Sequence, residues 1–204
     1  MDTRKIMILS RPDYISWDDI TDLLHRAFAC HLQNGLTYSA CTQTAEYTEK
    51  RVGNGICIVA LLEDKLVGTA TLHFKGKSAH LTQVATDPDY RRYRIGRQLQ
   101  DYIFEYCKAE NVGSLTCDTA INAKKVVDWY LKSGWQKVGL RSYITTNYYS
   151  VVLRKPVCGR RYYVWEAGMC FNVLSVFCHL TKKENGEVRK WIRPVYDVYK
   201  LIKK

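Results

Sequence analysis

The most constraining feature of this chain is the junction between a strand-like run and a long helix-like run. Ala79 to Thr86 reads as a strand, and Ile95 to Glu110 carries Ile95, Leu99, Tyr102, Ile103 and Tyr106 at helical spacing, with Gly113 as the expected stop. Between them lies Asp87-Pro-Asp-Tyr-Arg-Arg-Tyr-Arg-Ile-Gly-Arg97. Asp87 ahead of Pro88 turns the chain. Arg91, Arg92, Arg94 and Arg97 therefore stand at or just before a helix N-terminus, where the helix dipole repels each cation by roughly 0.3–1 kcal/mol. A bound anion reverses that sign, because free backbone N–H groups at a helix start cradle phosphate and guanidiniums add charge-assisted hydrogen bonds. Gly96 lets the backbone approach a ligand closely. The segment reads as a pyrophosphate cradle, against the plainer alternative of a solvated basic turn.

The 204 residues suffice for one α/β domain, or for a domain of about 150 residues with an appendage. The apolar run at Ile6–Leu9 is too short for a signal peptide, and no apolar segment reaches the roughly 20 residues of a membrane helix, which makes the cytoplasm the expected location. Eight cysteines lie scattered without CxxC spacing, some inside apolar runs such as Ile56-Cys-Ile-Val-Ala60; they read as reduced, partly buried thiols, and no structural metal is expected. The net charge of +11 suits an anionic ligand, nucleic acid or an acidic membrane surface, without choosing among them.

Further along the chain, Lys5 to Ser10 predicts a strand. Ser16 caps a helix that runs to about His31, with Asp19 closing a capping box. Thr44 to Val52 predicts a second helix. Gly55–Leu62 and Leu66–Phe74 form a hairpin around Glu63-Asp-Lys65, and Gly76-Lys-Ser78 turns into the strand that ends at Thr86. After the long helix come a strand at Ser114–Thr119, a helix marked by Val126, Val127, Tyr130 and Leu131 that ends at Ser133-Gly134, and strands near Trp135–Arg141 and Tyr148–Leu153. The order β-α-α-β-β-β-α-β-α-β-β predicts an α/β (α+β) fold with a mixed sheet flanked by helices. The domain is expected over residues 1–156. Residues 157–204 break the rhythm and are expected as an extension: an apolar run within Trp165–Leu180, a loop at Lys182–Gly186 and a basic, aromatic end at Ile192–Lys204. This extension either covers the sheet or meets a second copy in a homodimer, or, less simply, docks on a membrane or partner.

Residues 3 to about 154 resemble the GNAT superfamily of acyl-CoA-dependent N-acetyltransferases. Val84-Ala-Thr-Asp-Pro-Asp-Tyr-Arg-Arg-Tyr-Arg-Ile-Gly-Arg-Gln-Leu99 is similar to that family's strand, its Arg/Gln-x-x-Gly-x-Gly/Ala turn and its helix. Asn122 through Tyr130-Leu-Lys-Ser-Gly-Trp135 resembles its asparagine, helix, tyrosine and Gly-aromatic end. The resemblance implies a mostly antiparallel central sheet and acetyl-CoA as co-substrate. It implies that Val84, Ala85 and Thr86 pair with the pantetheine arm. It further implies that Arg91, Arg92, Tyr93, Arg94, Ile95, Gly96 and Arg97 hold the pyrophosphate, that Asn122 contacts the cofactor, and that Tyr130 protonates the departing thiolate. Tyr130 has core packing as its plainer alternative.

Two departures stand out. The first glycine of the family turn is Arg94 here, and an ordinary helical φ is expected at that position; Asn122 to Tyr130 is one residue longer than the common spacing. The family's frequent glutamate is also missing from Thr116-Cys-Asp-Thr119. Asp118 is the nearest carboxylate and the candidate base, with a cap, a solvated carboxylate or a water-relayed deprotonation as alternatives; Cys117 near the glutamate position reads as a small buried hydrophobe. The implied partner is a small-molecule or peptide amine, and no nucleic acid is expected. Phe28, His31, Tyr38, Glu46, Tyr47, Tyr143 and Tyr148 are candidates to line its pocket. Rival readings are a catalytically silent CoA-binding module and a basic protein of nucleic-acid or membrane surfaces.

Overall fold

The computed structural model describes residues 6–143 and 146–158. The elements expected within residues 159–204 lie outside the described residues. Strands β1 (Ile6–Ser10), β2 (Ile56–Leu62), β3 (Lys65–Lys75), β4 (Ser78–Thr86), β5 (Ser114–Ala120), β6 (Gln136–Ser142) and β7 (Tyr149–Pro156) alternate with helices α1 (Trp17–Gln33), α2 (Ala45–Val52), α3 (Ile95–Ala109) and α4 (Lys124–Lys132). The strands form one seven-stranded sheet in the order β1-β2-β3-β4-β5-β7-β6. The β1–β2, β2–β3 and β3–β4 pairs are antiparallel and β4–β5 is parallel. This is the mixed sheet with flanking helices that the element order predicts, mostly antiparallel as the resemblance implies. The chain divides into two compact units, residues 6–117 with 154–158, and residues 118–153.

In the first unit, local chemistry starts α1 and α2 where the sequence predicts. The Asp19 N–H donates to Ser16 Oγ at 3.1 Å and the Ser16 N–H donates to Asp19 Oδ2 at 2.9 Å, which closes the capping box of α1. The Ser16 hydroxyl and N–H hold the Asp19 carboxyl below its ordinary pKa. Thr44 caps α2 with its side chain alone, accepting from the Tyr47 N–H. Glu63 and Asp64, both at positive φ, make the tight turn between β2 and β3. Ile20, Leu24 and Ala27 of α1 and Val52 of α2 pack with Cys57, Val59, Leu61 and Ala85 of the sheet. The alternate β2 position, Ala60, serves the face on which α3 lies. There Ile95, Leu99 and Ile103 are at most 1% exposed, each burial stabilising by roughly 1.5–3 kcal/mol.

Within the segment between β4 and α3, Pro88–Tyr93 forms a 3₁₀ helix. One expectation is corrected: Gly113 does not end α3, and the left-handed residue is Asn111, at φ 54°. Gly113 instead bridges strands, its N–H donating to the Lys77 carbonyl and its carbonyl accepting from the Val157 N–H.

In the second unit, α4 stops at Ser133-Gly134 as expected, with Gly134 at φ 84°. Tyr130 of α4 is 5% exposed and packs edge-on against Trp129 and Trp135, with ring centroids 4.8 and 5.2 Å away. Among the described residues no helix is long and apolar enough to cross a membrane.

Candidate active site

The β4–α3 junction is built from the buried Asp87. Its Oδ1 accepts from the Asp89 N–H at 3.1 Å and so caps the 3₁₀ helix, while its Oδ2 receives a hydrogen bond from Arg26 Nη2 of α1 at 3.1 Å. The turning role expected of Asp87 is therefore met, and Arg26, which the sequence analysis did not single out, anchors it. No local signal marks Arg26, since its partner lies far away in sequence.

The arginines divide by what they touch. Arg91 reaches back to α1, with Nη2 3.4 Å from the Ala27 carbonyl and 4.0 Å from Cys30 Sγ. Arg97 pairs along its own helix with Asp101 at 3.5 Å. Arg92 and Arg94 are exposed beside the start of α3. Arg92, Arg94 and Arg97 thus stand around the start of α3, while Arg91 braces the turn against α1. The Tyr93 and Tyr90 rings lie 5.9 Å apart in a tilted contact, and Lys65 donates to the Tyr90 hydroxyl at 3.0 Å.

Arg94 corrects an expectation made from its identity. It adopts φ 55°, ψ 27°, the left-handed conformation, rather than a helical one. The 3₁₀ helix ends on this residue and α3 begins from it, and a reversal that sharp needs a positive φ. Among the described residues no side chain caps α3, in contrast to α1 and α2. The first N–H groups of α3, at Ile95 and Gly96, are therefore uncapped by any side chain among the described residues, with arginines around them.

Gly68 of β3 sets the position of that helix start. A Cβ there would lie 2.7 Å from Ile95 Cγ2 and 3.0 Å from Leu99 Cδ1, so only glycine admits α3 this close. Its strand pattern alone gives no reason to single it out.

Val84 lies in a bulge of β4, and Ala85 and Thr86 follow it. Thr71 pairs with Thr82 and Thr69 with Ala85, so Gln83 and Val84 together face Ala70, and Gln83 takes φ 52°. The Gln83 side chain is buried; its Oε1 accepts from Thr71 Oγ1 at 3.0 Å and its Nε2 has no partner among the described residues. The register with β5 covers Ser78 to Leu81 and goes no further. Val84 to Thr86 therefore have backbone groups outside that ladder, on the strand that runs into the basic turn.

In the second unit, Asn122 is exposed in the turn ahead of α4. Asp118 of β5 is half-buried and accepts a hydrogen bond from the Tyr143 hydroxyl, with Arg141 beside it. Packing around Tyr143 raises its phenol above the ordinary pKa; Asp118 adds to that rise and Arg141 opposes it. Among the other pocket candidates, Phe28, His31 and Tyr38 form one ring cluster in the first unit, with centroids 5.0–5.7 Å apart. Burial, then the Arg91 charge, holds the His31 imidazole below its ordinary pKa. Glu46 and Tyr47 are exposed on α2, outside that cluster's ring contacts. Tyr148 is buried.

Residues 17–135 match the model of the acetyltransferase (GNAT) family. The chain belongs to that family. No curated protein sequence matches it. Among solved structures it is similar to the ribosomal-protein-S18-alanine N-acetyltransferase of Escherichia coli, with 16% identity, TM-score 0.61, and 78% of this chain and 99% of that one covered. It is also similar to an aminoglycoside 6'-N-acetyltransferase complexed with coenzyme A, with 17% identity, TM-score 0.57, and 76% and 98% covered. The aminoglycoside 6'-N-acetyltransferase of Enterococcus faecium shares 17% identity at TM-score 0.58, with 76% and 98% covered. At these identities the likeness is one of fold. The GNAT match spans the β4 strand, the basic turn and α3 together, and their donor set fits coenzyme A. An uncapped helix start and Arg92, Arg94 and Arg97 suit a pyrophosphate, and an extended backbone outside the β5 ladder suits an amide-bearing arm.

Proposed function

We propose that this protein transfers an acetyl group from acetyl-CoA to a primary amine. The observation that carries the reading is the uncapped N-terminus of α3, set by the left-handed Arg94 and ringed by arginines, inside the stretch that matches the GNAT family. The names of the structural relatives specify acetyl transfer to nitrogen, on an alanine of a ribosomal protein and on aminoglycosides. A small-molecule or peptide amine is the corresponding acceptor class here.

The thioester supplies the activated acyl group, and this chain binds, orients and moves protons. Arg92, Arg94 and Arg97 with the Ile95 and Gly96 N–H groups hold the pyrophosphate. Val84 to Thr86 align the arm, and an N–H of that strand polarises the carbonyl oxygen and stabilises the oxyanion. Asn122 contributes a polar contact to the cofactor. Tyr130 donates its proton to sulfur as the C–S bond breaks; its support is the family motif from Asn122 to Trp135. Asp118 is better suited to holding Tyr143 than to deprotonating the acceptor, because its carboxylate already accepts that hydroxyl.

The test is calorimetry with acetyl-CoA, alongside thiol release with a panel of amines. Wild type is expected to bind in the micromolar range, and an Arg92→Ala/Arg94→Ala variant about tenfold or more weaker. Tyr130→Phe should keep its affinity and lose about 100-fold in turnover. Absence of acetyl-CoA binding would sink the proposal. Binding without thiol release from any amine would leave a silent CoA-binding module instead.

A further inference from the structure

Gln83 carries a double cost. Its φ of 52° is a left-handed backbone that glycine holds without strain and glutamine does not. Its side-chain Nε2 is buried with no partner among the described residues, and a buried donor left unpaired is destabilising. Glycine at this position would bear neither cost. Both fall in the bulge of β4, just before Val84 to Thr86. Strain of this kind collects where a chain holds a working geometry.

What the glutamine supplies is a latch across the bulge. Its Oε1 accepts from Thr71 Oγ1 of β3 at 3.0 Å, and both side chains are buried. Thr71 pairs with Thr82, the last β4 residue in register before the bulge. The bond therefore ties the bulged residue to the opposite strand where the ladder has lost its pairing, and out of water such a bond is stronger. The backbone beyond it has a defined facing. The Asp87 N–H donates to the Val67 carbonyl at 2.9 Å, so Asp87 faces β3. Alternation turns the backbone groups of Ala85 toward β3 as well, and those of Val84 and Thr86 toward the other edge. There the register with β5 has already ended, at Leu81 and Cys117. A bulge bends and twists its strand, so the bulge at Gln83 sets the angle at which the Val84 N–H leaves that edge.

We propose that Gln83 and Thr71 are positioning residues for acetyl transfer: their hydrogen bond fixes the bulge and so aims the Val84 N–H at the thioester carbonyl oxygen. This deepens the acetyltransferase reading and rests on it. With the pyrophosphate at the start of α3, the arm of the cofactor runs back along β4 from Thr86 toward Val84. Its acyl end then lies nearest Gln83. A donor stabilises a developing oxyanion best when it is already in place and need not reorganise, which is what the latch provides.

The test is the carbonyl stretch of acetyl-CoA, isotope-labelled at the acyl carbonyl and bound to the protein, read by difference infrared spectroscopy. Calorimetry and denaturant unfolding run beside it. Wild type should show one narrow band at lower frequency than the free thioester. Gln83→Gly, which relieves both costs, and Thr71→Val, which removes the donor at nearly constant shape, should each lose most of that shift. Thr71→Ser, which keeps the hydroxyl, should restore it. CoA without an acyl group should bind both shifted variants within about threefold of wild type, and with an amine acceptor kcat should fall about 10- to 100-fold while KM for acetyl-CoA holds. Gln83→Gly should unfold at the same or higher denaturant concentration, which separates its loss from a weakened fold. A bound wild-type band without a shift, a shift that both variants keep, or a Thr71→Ser band like that of Thr71→Val would overturn the latch alone. A wild type that does not bind acetyl-CoA would overturn the acetyltransferase reading and the latch with it.

Discussion

At position 94 an arginine holds a left-handed backbone in which glycine would be unstrained. The conformation costs a non-glycine residue on the order of 1 kcal/mol, and it persists because the 3₁₀ helix and α3 must join at that residue. Arg94→Gly should therefore raise stability by about 1 kcal/mol in denaturant unfolding. It should also weaken acetyl-CoA binding about two- to fivefold, through the loss of one exposed cation. A variant that is destabilised would contradict this account of the residue. The reading of the sequence put an ordinary φ here because the side chain argues for one. The demand for a positive φ comes from elements meeting on either side, which the identity of the residue does not reveal. The chemistry of Ser16 and Asp19, by contrast, is complete within one turn, and it was legible in full.

Among the elements, α3 depends most on a distant neighbour. Gly68 on β3 admits Ile95 and Leu99, and a methyl group there meets both, and Ala60 at 3.3 Å. Gly68→Ala should cost about 1–3 kcal/mol of stability by overpacking. Because the contact falls on the first turn of α3, acetyl-CoA affinity should fall as well, which calorimetry beside thermal unfolding would detect. An unchanged affinity would mean that the helix start does not set the cradle. The periods of the strands and helices told where each element lies, down to the turn at Glu63-Asp64. They are silent on which residues approach across the sheet, so Gly68, Arg26 and the 3₁₀ helix at Pro88–Tyr93 escaped notice. The basic turn itself was readable because its arginines sit where an unliganded helix would not favour them.

For the whole molecule, acid is the revealing stress. Burial holds both His31 and His73 below the ordinary histidine pKa of about 6.5. Across that window the unfolded chain binds more protons than the folded one. The stability they contribute is complete above about pH 6.5 and is lost as pH falls toward their depressed folded values. Thermal unfolding between about pH 7.5 and about pH 5 should show this decline, and His31→Gln should make it shallower. An unchanged slope in that variant would remove His31 from the account. Folding order gives the sheet a further meaning. β2, β3 and β4 are joined by short turns, so their ladders close over small chain separations and form early. The parallel β4–β5 ladder must wait until the whole of α3 has been laid down between its two strands. The basic turn lies inside that loop, so it is expected to take its final place only with that late ladder, which refolding followed by amide exchange would show.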